Sequence, residues 1–230
     1  VILDVVERYD VDGVHIDDYF YPYPIRDDAG QIVPFPDEAS FQRSGTTLER
    51  DDWRRQNVNR FVRRMYRRVK AAKPHVLVGV SPFGIWRPGH PEGIVGFDQY
   101  ASLYADARKW LRQGWVDYFA PQLYWTIDSP GQSYPKLLGW WSEQNVKNRH
   151  LWPGLFTSRV ASKNNGNWSP DEIKNQIVLT REAQGATGHI HFSMKALMNN
   201  QGGVADMLQE LYAEPAKVPD SPWLNSPNDQ

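Results

Sequence analysis

The segment Asp12–Pro24 (DGVHIDDYFYPYP) places two adjacent carboxylates, Asp17 and Asp18, directly before a run of aromatic side chains. Adjacent carboxylates repel each other, and burial raises the pKa of at least one of them. One ionised and one protonated carboxyl group form the pair that cleaves a glycosidic bond, as nucleophile or base and as acid. The alternative is that both residues cap the following turn or accept hydrogen bonds from backbone amides. The neighbouring rings favour a sugar site.

The residues before this pair have the alternation of a β-strand. Val14 and Ile16 fall on one face, and His15 and Asp17 fall on the other. We expect the apolar face to pack on helices and the polar face to point into a barrel. Asp17 would then lie at the carboxyl end of the strand, where barrel enzymes carry their chemistry.

Later predicted strands end in polar and aromatic residues but not in a second acid. The two carboxyl groups of a glycosidase lie about 5 Å or more apart. The partner acid is therefore Asp18, a loop carboxylate such as Asp98 or Asp128, or a residue on strands upstream of Val1. The residues predicted to bind substrate are His15, Tyr19, Tyr21, Ser81, Trp86, Arg87, Gln122, Tyr124, Trp125, Ser193 and Lys195.

A second pattern, His189 and His191 in GHIH, is similar to the metal pair of barrel amidohydrolases. A metal site needs further ligands of the right type. No cluster of acidic and histidine partners follows the other predicted strands, so we predict neither a metal nor another cofactor. One or both histidines are interpreted as hydrogen-bonded residues near the site.

The elements that must position these residues alternate between strand and helix. The apolar runs predict strands at Val11–Asp17, His75–Ser81, Trp115–Leu123, His150–Phe156 and Gly188–Ser193. Helical periodicity and capping signals predict helices at Val1–Tyr9, Trp53–Lys70, Ala101–Arg112 and Tyr134–Gln144, from Pro170, and at Val204–Tyr212.

This alternation predicts an α/β fold with a parallel sheet, specifically the carboxyl-terminal five units of a (β/α)8 TIM-type barrel. Residues 1–214 would form this part of the barrel, and residues 215–230 a Pro-rich surface tail. Three more units, about 100 residues at typical barrel size, are expected upstream of Val1. The alternative, a doubly wound sheet, would carry a Gly-rich phosphate turn that we do not find.

Composition narrows the function classes. The 230 residues include 10 Trp and 11 Tyr, typical of a sugar-stacking cleft or of an aromatic-rich core. With 26 basic and 27 acidic side chains, nucleic acid is not the expected partner. The absence of Cys excludes disulfides and thiol catalysis. No apolar run approaches the ~20 residues of a membrane span.

Several segments together resemble the glycosyl-hydrolase-like 10 family of bacterial barrel proteins. They are DGVHIDDYFYPYP, FPDEASF, DDWRRQNVNRFV, VSPFGIWRPG, DYFAPQLYW, LWPGLFTSRV and GHIHFSMKAL, in this order. The resemblance implies a protein that is exported or lipid-anchored, and a family that includes hydrolases of peptidoglycan glycan strands stripped of peptides. It also implies that the DD pair, the SPFG loop and the QLYW segment line a glycan cleft, and that a segment beginning with an RGVW-like strand comes first.

The pattern DGxxxD also looks like the fourth-strand motif of α-amylase-type barrels. By that resemblance Asp17 is the nucleophile, although Ser81 stands where those enzymes have a Glu after the next strand.

The sequence is thus interpreted as a hydrolase of an amino-sugar-containing bacterial glycan, with Asp17 as nucleophile or base and Asp18 as acid or substrate ligand. The alternatives are a carbohydrate-binding barrel without catalysis and, less favoured, a metal-dependent amidohydrolase. The expected partner is the glycan. The oligomeric state is not predicted.

Overall fold

Six short strands run parallel to one another in the structure, a computed structural model that describes residues 1–164 and 166–225. They are β1 (Gly13–Ile16), β2 (Leu77–Val80), β3 (Tyr118–Phe119), β4 (His150–Leu151), β5 (Gly154–Leu155) and β6 (Ile190–His191). The strands β1 to β4 form one sheet in sequence order, and β5 pairs with β6. Isolated bridges join Gln122 to Gly154 and Leu151 to Ala186, so the two sheets continue into each other. The predicted parallel α/β arrangement is confirmed.

Prolines explain why the strands are shorter than the apolar runs. The predicted strand 150–156 is interrupted between β4 and β5 at Pro153, and the run after β3 contains Pro121. Proline has no backbone N–H and cannot complete a ladder. Six elements therefore correspond to five predicted strands.

Nine helices surround the strands in the described part of the chain. They are α1 (Ile2–Arg8), α2 (Glu38–Arg43), α3 (Arg50–Ala72), α4 (Gln99–Ser102), α5 (Ala107–Gln113), α6 (Tyr134–Gln144), α7 (Pro170–Glu182), α8 (Met194–Met198) and α9 (Val204–Leu211). The prediction for α6 is confirmed at both ends, and Ser169 caps α7 by accepting from the Asp171 N–H. The single helix predicted at 101–112 is wrong. It is two helices, because Tyr104 between them has a positive φ of 54°.

The main core lies between the strands and the helices. Val62, Met65 and Val69 of α3 are buried with Val78 and Val80 of β2. Full burial of such a side chain contributes about 1.5–3 kcal/mol. This packing holds the strand ends, and hence the loops after them, in fixed positions.

The opposite side of the strands carries a row of rings. The register places His15, Gly79 and Tyr118 side by side on three strands. A Cβ on Gly79 would lie 1.9 Å from the Tyr118 ring, so only glycine lets this ring cross β2 toward His15. The His15 Nδ1 atom lies 3.0 Å from the Tyr118 hydroxyl, and Trp152 stacks on the other side of Tyr118 at 4.6 Å.

At the amino ends of the strands, Asp117 is fully buried and its charge is compensated. Lys70 Nζ lies 2.5 Å away, and the Val78 N–H donates at 2.7 Å. Trp223 reaches back from the Pro-rich segment to donate to Asp117 at 2.8 Å, and Ser221 bonds His150. Residues 226–230 of the predicted tail lie outside the described residues.

Within the described residues, β1 pairs only with β2 and β6 only with β5. Apolar side chains are exposed beside both outer strands, with Phe61 near β1 and Ile190, Phe192 and Met194 near β6. Such surface is what neighbouring units of a barrel would cover. In the described part of the chain, no helix combines the length and apolar character needed to cross a membrane.

Candidate active site

Asp17 follows β1 directly and its side chain is exposed. One carboxylate oxygen accepts from Gln122 Nε2 at 2.8 Å and from the backbone N–H of Asp18 at 2.8 Å. The residue also borders a depression of about 490 Å³ that lies beside the outer strand β1 and is lined mainly by apolar residues, including Ile16, Val58 and Phe61. A carboxylate that is held by two donors and still reachable can act as nucleophile or base.

Asp18 has the opposite environment. It is only 5 % exposed, and the Tyr23 hydroxyl donates a hydrogen bond to its Oδ2. Burial raises the pKa of Asp18 above its usual range, and the nearby charge of Asp17 raises it further. The Tyr23 hydrogen bond acts in the other direction because it favours the carboxylate. The two carboxyl groups thus differ in exposure and in their hydrogen-bond partners.

Gln122 links three strand ends. Its side-chain amide donates to Asp17 and, at 3.0 Å, to the Ser81 carbonyl. Its backbone bridges to Phe83 and Gly154. The Ser81 hydroxyl donates to the Ala120 carbonyl at 3.0 Å, so its contribution here is to hold neighbouring strands together.

His15 lies two residues before Asp17, so its side chain points to the same side of the strand. Partial burial lowers its pKa, and the charge of Asp17 opposes this but does not overcome it. The imidazole is therefore biased toward its neutral form beneath the carboxylate.

One group of rings, here called the loop wall, extends from the buried carboxyl group. Tyr23 stacks on Phe97 at 5.2 Å, and Phe83 makes edge contacts with both Phe97 and Trp125. Tyr19 contacts Tyr23 at 5.9 Å and is 73 % exposed. The members of the loop wall are Tyr19, Tyr23, Phe97, Phe83 and Trp125.

A second group, here called the strand-end cluster, consists of Tyr124, Phe156 and Phe192. Tyr124 contacts Phe156 at 4.7 Å and Phe192 at 5.5 Å. Burial raises the pKa of the Tyr124 hydroxyl, and the charges of Asp17 and Asp18 add to this effect. The Ser193 hydroxyl beside the cluster lies 3.3 Å from that of Ser158.

Three residues predicted to bind substrate lie elsewhere. Trp86 is 9 % exposed and stacks on Trp140 in the helix layer, with its indole N–H donating to Asp106. Trp86 therefore presents no free ring face beside Asp17 and Asp18 in this structure. Its position in a Gly/Pro-rich loop did not reveal that the ring is buried against the helices.

Tyr21 and Arg87 are the other two. Tyr21 makes edge contacts with Phe35 and Tyr104, and its hydroxyl donates to Asp37. The Arg87 side chain pairs with Asp98 at 3.2 Å. Both are engaged in holding loops. Lys195 is exposed at the start of α8.

The two histidines of GHIH face a helix. The His189 Nε2 atom lies 2.5 Å and the His191 Nε2 atom 3.3 Å from the Tyr212 hydroxyl, just after α9. Burial lowers the pKa of each histidine to about 4. Among the residues that the structure describes, no group of three or more His, Cys, Asp or Glu side chains could hold a metal ion.

Sequence reasoning did not assign Tyr23 and Tyr118 to the site. A glycine at an inward position of β2 was a signal for a large neighbouring ring, and Tyr118 is that ring. Tyr23 belongs to the aromatic run after Asp18 that favoured a sugar site, but the loop has no regular periodicity that could show its hydroxyl returning to Asp18.

Comparisons with known proteins all match this chain to glycosyl hydrolases. The sequence model of the family "Glycosyl hydrolase-like 10" matches residues 1–170. Glycosyl hydrolase YngK of Bacillus subtilis is 44% identical over 236 residues, covering 98% of this chain and 45% of YngK. Glycosyl hydrolase DigH of Escherichia coli K12 is 32% identical over 204 residues, covering 84% of the chain and 45% of DigH. The chain thus spans about half the length of these curated relatives.

The PgaB glycoside hydrolase domain from Bordetella bronchiseptica has a similar structure. The TM-score is 0.54 at 14% sequence identity, covering 90% of this chain and 58% of that domain. At this identity the likeness concerns the fold alone, and it agrees with the predicted part of a (β/α)8 barrel.

Proposed function

The chain belongs to the glycosyl hydrolase-like 10 family, and on that premise we propose that it hydrolyses glycosidic bonds in a bacterial cell-wall or related amino-sugar-containing glycan. The observation that carries this proposal is the pair of adjacent carboxyl groups in contrasting environments. Asp17 is exposed and held by donors, whereas Asp18 is buried with a raised pKa.

Asp17 is assigned as the nucleophile or general base. The Gln122 amide and the Asp18 N–H both donate to one oxygen of its carboxylate and so orient it. Its location at the carboxyl end of β1 is where barrel enzymes carry out chemistry.

Asp18 is assigned as the acid that protonates the leaving oxygen. A carboxyl group with a raised pKa retains its proton near the working pH, which general acid catalysis requires. The Tyr23 hydroxyl fixes its rotamer.

The loop wall and the strand-end cluster are assigned to sugar binding. Tyr19 is the most exposed ring of the loop wall, and Tyr124 is the ring of the strand-end cluster whose hydroxyl pKa is raised by the charges of Asp17 and Asp18 as well as by burial. Sugar rings present apolar C–H faces that stack on aromatic side chains. By family membership we further propose that the whole protein is exported.

The test uses the full-length protein with peptide-free cell-wall glycan strands and counts new reducing ends. We expect steady release by wild type and none by Asp17→Asn. The assignment of Asp18 is tested with an aryl glycoside whose phenolate leaves without protonation. Asp18→Asn should cleave this substrate and lose activity on the glycan, whereas Asp17→Asn should fail on both.

The remaining outcomes overturn the proposal. A wild type that binds the glycan tightly without cleaving it is a carbohydrate-binding barrel. A wild type that neither binds nor cleaves any amino-sugar glycan removes the glycan as its substrate.

A further inference from the structure

Arg159 occupies an unusual position beside the strand-end cluster. It ends the short 3-10 turn Thr157–Arg159 that follows β5. Its guanidinium lies 4.7 Å from the centre of the Phe156 ring and 5.5 Å from that of Trp168. Phe156 in turn contacts Tyr124, the ring influenced by the charges of Asp17 and Asp18. Arg159 is therefore one ring beyond the residues next to the carboxylates.

The guanidinium has no polar partner among the described residues. It makes no hydrogen bond and no ion pair there, and its Nε atom is buried without an acceptor. The other arginines near this end of the strands differ, since Arg87 pairs with Asp98 and Arg54 with Asp37. Leaving a partly buried charge without an acceptor is costly, because desolvation is not repaid.

The surroundings also restrict what this cation can bind. Two aromatic rings flank the planar guanidinium. Its terminal nitrogens make no hydrogen bond to a described residue, so they offer a pair of N–H groups to a ligand. That pair matches the two oxygens of a carboxylate, which an arginine binds in a bidentate manner.

We propose that Arg159 binds a carboxylate on a sugar unit next to the pair of units joined by the cleaved bond, and so selects an acidic glycan over a neutral one. This inference rests on the proposed function and adds to it a residue that determines specificity for the acidic form of the glycan. Peptide-free cell-wall strands meet the requirement because removing the peptide leaves a lactyl carboxylate on alternate sugars. Lys195, exposed on α8, belongs to the element packed against the same turn and adds positive charge to this rim.

The experiment compares two glycans that differ only in this group. One is the peptide-free strand with free carboxylates, and the other is the same strand after carbodiimide activation and borohydride reduction to the alcohol. Affinity by calorimetry and kcat/KM from reducing ends are both measured on the full-length protein. We expect wild type to prefer the carboxylate form by about tenfold or more, since hydrogen bonds to charged groups are worth this much.

Arg159→Gln should lose this preference while retaining wild-type behaviour on the reduced strand. The matched control is Arg63→Gln, because Arg63 also lies over a tryptophan ring, that of Trp115 at 5.8 Å, but on the outer helix α3. It should keep the preference. Equal losses on both glycans in Arg159→Gln would mean that the residue only supports the fold, and an absent preference in wild type would overturn the inference.

The two proposals fail differently. Binding with carboxylate preference but without cleavage removes the hydrolase proposal and leaves the role of Arg159. Cleavage of both strands at equal rates does the reverse. If neither strand is bound or cleaved, both proposals are wrong.

Discussion

The two ends of the strands treat an aspartate in opposite ways. At the amino ends, Asp117 is fully buried and receives a lysine, a backbone N–H and an indole N–H. At the carboxyl ends, Asp17 has two donors and remains exposed. A buried charge with all partners present holds the fold together, whereas a partly supplied charge at an open site is available to a substrate. The difference predicts which substitutions affect stability and which affect turnover.

The largest expected effect is on turnover. Asp17→Asn retains the shape of the side chain but cannot attack or accept a proton, so kcat should fall by at least about a thousandfold. Affinity and melting temperature should hardly change, because the lost interaction belongs to the transition state. Asp12→Asn at the amino end of the same strand is the matched control and should keep full activity. If Asp17→Asn remains active, Asp17 is not the catalytic carboxylate, and the difference between the two ends of the strands does not reflect catalysis.

The second effect is on stability. Lys70→Met leaves Asp117 buried without its cation, and breaking such a pair costs about 3–5 kcal/mol. Urea unfolding measures this as a lower midpoint. Arg67→Met, on the exposed face of α3, should cost less than about 0.5 kcal/mol. Equal midpoints for the two variants would contradict the compensated state of Asp117.

Between these ends, the helix-facing histidines should make stability depend on pH. The pKa of His189 and of His191 falls from 6.5 to about 4 on folding, chiefly through burial. The unfolded chain therefore binds more protons in this window, so stability is full above pH 6.5 and declines as the pH falls toward 4.

The measurement is the difference in urea midpoint between pH 7 and pH 5. The double substitution His189→Gln and His191→Gln should reduce this difference, and His75→Gln at an exposed site should not. An unchanged difference in the double variant would exclude these residues as its source.

The smallest effect sharpens the contrast within the site itself. Tyr23→Phe removes a hydrogen bond that favours the carboxylate of Asp18, so the pKa of Asp18 should rise further. With Asp18 as the acid, the basic limb of the kcat/KM profile moves to higher pH by up to about one unit. Tyr9→Phe, outside the site, should leave the limb in place. A shift to lower pH would contradict the assignment.

Much of the fold was predictable because its signals are periodic. Alternation located β1 and predicted Asp17 at its carboxyl end, one residue beyond where the strand ends, and helical spacing with a capping pattern located α6 and the start of α7. Long-range details were not predictable. The Trp86 ring packs against Trp140 of the helix layer, and the Tyr23 hydroxyl bonds Asp18. Both contacts depend on loop paths that only the packed structure determines. Arg159 could not be recognised either, because only the three-dimensional structure shows that no described residue accepts a hydrogen bond from its guanidinium.

Trp223 has a consequence for the order in which the protein is made. Its hydrogen bond to Asp117 joins residues 106 positions apart, and the bond from Ser221 to His150 joins residues 71 apart. A ribosome adds about 5–20 residues per second, so Asp117 waits several seconds for this donor after it is synthesised. During translation the strands can associate while their amino ends are still open to water. Trp223, which is synthesised last, then donates its hydrogen bond to Asp117 and helps to bury this carboxylate.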